Sequence, residues 1–127
     1  MLEEIEARGK PVITVPEASV ATMEIIDDID GTGPEVPVGG HVTVHYVGVG
    51  QASGKQFDAS WDRNEEISFG LNQVIAGWRD GLVGMKVGGR RTLIIPGDQA
   101  YGKNPPPGSG IKPNETLVFV IDLIATR

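Results

Sequence analysis

The chain of 127 residues is acidic, with 17 Asp and Glu against 11 Lys and Arg and a formal net charge of −6. That balance excludes the broad cationic surface which sequence-independent nucleic-acid binding requires. Its 39% hydrophobic and 22% charged residues are those of an ordinary globular domain with one core, and the absence of cysteine excludes disulfides, thiol catalysis and Cys-ligated zinc.

Residues 1–21 read as an N-terminal extension, followed by a single domain over 22–127. The opening Met1-Leu2-Glu3-Glu4-Ile5-Glu6 is acidic where a signal peptide is basic and then apolar. No apolar run approaches the roughly 20 residues of a membrane span, so a cytoplasmic protein is expected. Pro11 and Pro16 interrupt the extension. Val12, Ile13 and Val15 fit either an extended strip lying against the domain or a mobile tail, and both remain open.

From Thr22 the pattern changes. Met23 to Asp27 is strand-like, and Asp30-Gly31-Thr32-Gly33-Pro34 is a turn cluster. His41 to Val49 alternates with period two, placing Val42, Val44 and Tyr46 on one face and His41, Thr43 and His45 on the other. Ser53-Gly54-Lys55 turns the chain into Gln56-Phe57-Asp58, and Glu66 to Phe69 predicts another strand with Ile67 and Phe69 on one face. Val74, Trp78 and Leu82 recur at helical spacing, with Ile75 beside them, and Gly84 and Gly88-Gly89 end the helix. Arg90 to Ile95 is a strand stopped by Pro96. A Pro/Gly-rich loop fills 100–115, and Thr116 to Ala125 is a strand with Leu117, Phe119, Ile121 and Leu123 on one face. The sum is an α+β domain of five or six antiparallel strands with one helix too short to be stable alone.

Val74, Ile75 and Trp78, grouped where that helix starts, predict the floor of a binding pocket rather than an acid–base site. His41 and His45 share a helical metal-site spacing but sit in a strand, which predicts an exposed sheet-face pair and no metal. Gly50 to Lys55 falls short of a phosphate loop and reads as a hairpin turn. Asp58, Asp62 and Arg63 fit either a solvated surface ion pair or a carboxylate held by Arg63 and the Tyr46 hydroxyl. Trp61 lies in a polar turn and receives no role.

Val44-His45-Tyr46-Val47-Gly48, then Gly54 to Ser60, then Asp62-Arg63-Asn64, resemble the opening motifs of the macrolide-binding FKBP family of peptidyl-prolyl cis–trans isomerases. Gln73-Val74-Ile75-Ala76-Gly77-Trp78, Gly84-Met85-Lys86-Val87-Gly88, Ile95-Pro96, Ala100-Tyr101-Gly102 and Pro113 to Phe119 continue in order. Each motif alone is weak, but the ordered series over residues 22–126 is specific. The resemblance implies a curved antiparallel sheet wrapped over one short α-helix, with the pocket between them. It also implies roles. Trp78 would be the floor beneath a proline ring, and Tyr46, Phe57 and Phe119 the aromatic walls. Val74 and Ile75 would form the rim, the Ile75 backbone donating a hydrogen bond to a ligand carbonyl. Tyr101 would donate from its hydroxyl, Asp58 would sit at the pocket edge held by Tyr46 and Arg63, and Ile111 would lie on the covering loop.

Against that family, the segment from Phe69 to Trp78 is shorter than in eukaryotic members. Ile67, a further pocket candidate, and Gln99 stand where those members carry aromatics. The expected partners are proline-containing polypeptides and macrolides, with no nucleic acid, membrane or cofactor, and the expected state is a monomer. The expected activity is X–Pro isomerisation, inhibited by rapamycin-type macrolides. A proline-peptide or macrolide binding or chaperone module with little catalysis is the alternative.

Overall fold

The period-two alternation becomes a sheet with one deeply buried face. The computed structural model describes residues 1–127. In chain order it contains helix α1 (Leu2–Arg8), strands β1 (Glu24–Ile29), β2 (His41–Gly50) and β3 (Gln56–Ala59), and a 3₁₀ turn at Ser60–Arg63. Strand β4 (Ile67–Gly70), helix α2 (Ala76–Gly81), strand β5 (Arg90–Ile95), a short 3₁₀ turn at Gly97–Gln99 and strand β6 (Leu117–Thr126) complete it. The six strands form one antiparallel sheet in the order β1-β5-β6-β2-β3, with β4 also paired to β2. Strand β2 is the axis. It pairs with β6 along nearly its whole length, and its other edge serves β4 at the start and β3 at the end. Register shifts at Thr43/Val44 and Gly48/Val49 mark bulges, which bend a strand and strengthen its twist.

The inner face carries the main core. Val42, Val44 and Tyr46 from β2, Leu93 and Ile95 from β5, and Leu117, Phe119, Ile121 and Leu123 from β6 meet Trp78 and Leu82 from the helix region. Burying an aliphatic side chain of this size contributes about 1.5–3 kcal/mol, so this cluster dominates stability. Helix α2 has only six residues and holds its place by close approach. Gly77 and Gly81, four apart on one helix face, lie over Ile95 and Leu93. A β-carbon at Gly77 would come within 2.5 Å of Ile95 Cδ1, and one at Gly81 within 2.9 Å of Leu93 Cδ2. Arg91 reinforces the contact by donating to the Gly81 carbonyl at 2.8 Å while pairing with Asp27 of β1 at 2.7 Å. A cation at a helix C-terminus is favourable by the sign of the helix dipole.

The outer face is covered, which decides between the two readings of the extension in favour of a strip docked on the domain, although Val12 does not join it. Residues 2–8 form helix α1 with Ile5 fully buried. Arg8 donates to Asp122 Oδ1 at 3.1 Å and to the Gly88 carbonyl at 2.5 Å. Beyond the helix the chain runs extended, with Ile13 and Val15 against Val47, Val49, Ala59 and Trp61, and Val12 turned out to solvent. The histidine pair is therefore corrected: His41 is exposed, but His45 is only 1% exposed, stacked on Trp61 with ring centroids 4.4 Å apart. The hairpin reading of Gly50 to Lys55 holds. The Ala52 and Ser53 amides, which a phosphate would need, donate to the buried Glu115 carboxylate instead.

Candidate active site

Five elements converge on an aromatic box. Helix α2 places Trp78, which is 4% exposed. Tyr46 from β2, Phe69 from β4 and Phe119 from β6 each meet its indole edge-on, at centroid distances of 5.4, 5.3 and 5.4 Å and interplanar angles of 84, 82 and 85°. Phe57 from β3 meets Phe119 in the same way at 5.5 Å. Edge-to-face pairs of this kind contribute about 0.5–1.5 kcal/mol beyond burial, so the box is stiff as well as apolar. Gly48 makes room for two of its walls. It lies opposite Phe119 in the sheet, and a β-carbon there would sit 2.6 Å from Phe57 Cζ and 2.8 Å from Phe119 Cε1. The resulting cavity, about 410 Å³, is lined by ten residues of which eight are hydrophobic: the five aromatics named, Val74, Ile75 and Tyr101, with Asp58 and Gln73 as the polar members. That volume suits a small ligand or a short stretch of peptide.

One edge of the cavity is polar and internally satisfied. The Tyr46 hydroxyl donates to Asp58 Oδ2 at 2.5 Å, and Arg63 donates to Asp58 Oδ1 at 2.6 Å and to the Tyr46 hydroxyl oxygen at 3.2 Å. Burial pushes the Tyr46 phenol up to about 12, and its hydrogen bond to Asp58 adds to the rise, so it stays protonated at neutral pH. Burial alone would also raise the Asp58 carboxyl, but the hydrogen bonds from Arg63 and Tyr46 together outweigh it and hold the group below its ordinary value. Two donors on residues that line the cavity are uncommitted. The Ile75 backbone N–H and the Tyr101 hydroxyl make no hydrogen bond within the chain. Burial, and then the nearby Asp58 charge, raise the Tyr101 phenol, which also remains a donor at neutral pH.

The model of the FKBP-type peptidyl-prolyl cis-trans isomerases matches residues 33–124. The chain belongs to this family. It is 49% identical over 119 residues to an FK506-binding protein of Streptomyces anulatus, spanning 91% of this chain and 96% of that one. A Corynebacterium glutamicum protein named "Probable FK506-binding protein" is 51% identical over 118 residues, spanning 91% and 98%. The crystal structure of a peptidyl-prolyl cis-trans isomerase from Pseudomonas syringae pv. tomato superposes with a TM-score of 0.75 at 36% identity, covering 97% of this chain and 86% of that one.

In this FKBP-type domain, eight of the residues singled out from sequence line one cavity: Tyr46, Phe57, Asp58, Val74, Ile75, Trp78, Tyr101 and Phe119. Three do not line it. Arg63 acts through Asp58 and Tyr46 at the edge, while Ile67 and Ile111 are half-buried against the main core. Sequence reading missed Phe69 and Gln73. Phe69 had a signal, since alternation places it on the same face as Ile67 and one pair farther along β2, opposite Val42. Gln73 opens the motif that marks Val74, Ile75 and Trp78, but its own place depends on the turn in which its N–H donates to the Gly70 carbonyl.

Proposed function

We propose that this FKBP-type isomerase takes an X–Pro segment into the aromatic box, proline ring over Trp78, and lowers the barrier to rotation by desolvation and hydrogen bonding. The barrier of about 18–20 kcal/mol comes from C–N resonance. A twisted amide has lost that resonance, and its carbonyl is less polar and less strongly hydrated. An apolar cavity therefore disfavours the planar ground state more than the twisted state. The Ile75 N–H and the Tyr101 hydroxyl supply hydrogen bonds to substrate carbonyls. Asp58, kept ionised by Arg63 and Tyr46, shapes the edge. A thousandfold acceleration requires about 4 kcal/mol, which desolvation and one or two hydrogen bonds can provide.

The observation that carries this reading is the box itself, three aromatic edges on one buried indole beside uncommitted donors. Relatives named for FK506 binding support a macrolide as inhibitor, seated in the same cavity. The isomerase unit spans 22–127 with residues 1–21 appended, and the protein acts as a monomer on proline-containing polypeptides. A cysteine-free composition fits a reducing compartment, so the cytoplasm is the proposed location.

The test is isomerisation of a short proline peptide, with and without a stoichiometric rapamycin-type macrolide. The expected result is a rate well above background that the macrolide abolishes. A background rate would overturn catalysis and leave a binding module, and an undiminished rate would overturn the inhibition.

A further inference from the structure

We infer that the N-terminal segment is a positioning element of the active site: docked on the outer face of the sheet, it holds the Ser60–Arg63 turn whose other side presents Arg63 to Asp58 and Tyr46. The inference rests on the role proposed above for that edge of the cavity.

The turn is gripped residue by residue. Ser60 is fully buried. Its hydroxyl accepts the Tyr46 backbone N–H at 2.7 Å, donates to the Tyr46 carbonyl at 3.3 Å and lies 2.9 Å from His45 Nδ1. On the other side of the His45 ring, Nε2 lies 3.7 Å from the Glu6 carboxylate of α1. Trp61 packs with Ile13 and Val15 against Val47, Val49 and Ala59 and covers the His45 ring. Lys10 donates to Asp62 Oδ1 at 2.7 Å, while Gln56 donates to its other oxygen at 2.7 Å. Only Arg63 turns towards the cavity.

Such a grip matters because the turn is weak alone. It is a single 3₁₀ turn of four residues, closed by Asn64 in the left-handed region at φ 50°. The Arg63–Asp58 pair it carries is well exposed, at 43% and 38% of the two side chains, and exposed pairs contribute little on their own. The geometry of the Tyr46–Asp58–Arg63 edge therefore depends on how firmly the turn is held, and displacements of about 1 Å at a reacting site can cost two orders of magnitude in rate.

The test uses the full chain and two matched double variants. Ile13→Asp with Val15→Asp places two carboxylates on inward positions, and Val12→Asp with Thr14→Asp places the same charge on neighbouring outward positions. Ile5→Asp, at the buried residue of α1, is a second and independent way to release the segment. The readouts are kcat/KM for a proline peptide and the phenolate titration of Tyr46, followed by absorbance in a Tyr101→Phe background where it is the only tyrosine.

The expected result is a several-fold loss of kcat/KM in the inward and Ile5→Asp variants. The Tyr46 midpoint should rise further above the ordinary 10.0, because Arg63 is the neighbour that holds it down, and the outward pair should change neither. An inward or Ile5→Asp variant that folds with both readouts unmoved overturns the inference. So does unfolding of both while the outward pair folds, since the segment would then stabilise the whole sheet rather than one turn. Tyr46→Phe, run alongside, separates the two levels: full activity there overturns the proposed site, whatever the segment does.

Discussion

Tyr46 belongs to the core and to the cavity at once. Its ring is 5% exposed and packs on Trp78, yet its hydroxyl is shared between Asp58 and Arg63. Tyr46→Phe keeps the wall and removes the hydroxyl. A hydrogen bond to a charged group is worth about 1.5–3 kcal/mol, but Asp58 retains Arg63 and partial solvent access, so the loss falls at the lower end. The expected outcome is a fall in kcat/KM of roughly tenfold or less, measured on the same proline peptide, with macrolide affinity reduced less than turnover. Trp78 behaves differently because it is the floor. Trp78→Ala should cost about 3–5 kcal/mol of stability and eliminate macrolide binding; an unchanged titration curve would contradict the pocket. The two tryptophans sit on opposite faces of the sheet. Macrolide binding should therefore change the fluorescence of Trp78 and leave that of Trp61 alone, and single Trp→Phe variants show which one responds.

At the scale of elements, helix α2 tests how close packing overrides local propensity. In an exposed helix, Gly→Ala stabilises by about 0.8–1 kcal/mol. Gly77→Ala should do the opposite, because the new methyl would meet Ile95 Cδ1, Cγ2 and Cγ1 at 2.5, 2.6 and 2.8 Å, on a stiff, fully buried side chain. Overpacking of this kind costs about 1–3 kcal/mol, read from urea denaturation midpoints, and pairing it with Ile95→Val should recover part of the loss. The strands of the sheet were legible because alternation is a local signal: Val42-Val44-Tyr46 and Leu117 to Leu123 show it plainly, and both sets are core. The pocket was legible through its ordered motifs, which mark Trp78, Val74 and Ile75. What was not legible depends on distant partners. Helix α1 has one buried residue in seven, and its anchor, Arg8 on Asp122, joins positions 114 apart. His45 and Trp61 look like surface residues until that segment covers them.

For the whole molecule, the same polar edge ties stability to pH on both sides of neutrality. On the acid side the relevant group is Asp58, whose folded carboxyl lies below its ordinary 3.8. A depressed carboxyl contributes stability above the unfolded value and loses it as pH falls through the folded one, so this limb begins below about pH 4. It is shallow, because the side chain is 38% exposed and solvent screens the pair. On the alkaline side the relevant group is Tyr46, raised from 10.0 to about 12. A raised phenol binds its proton more tightly in the folded state. Its contribution is complete below pH 10 and declines between about 10 and about 12. The net charge of −6 adds self-repulsion in the same direction as the remaining acids ionise. Thermal unfolding followed across pH should show a broad neutral plateau with a steeper alkaline than acid edge. Tyr46→Phe should flatten the alkaline edge between pH 10 and 12 and Asp58→Asn should flatten the acid edge; because each group shifts the other, each variant should also weaken the opposite edge to a lesser degree. An alkaline edge unchanged in Tyr46→Phe would mean that other acids, rather than the buried phenol at the rim of the box, set the upper limit of stability.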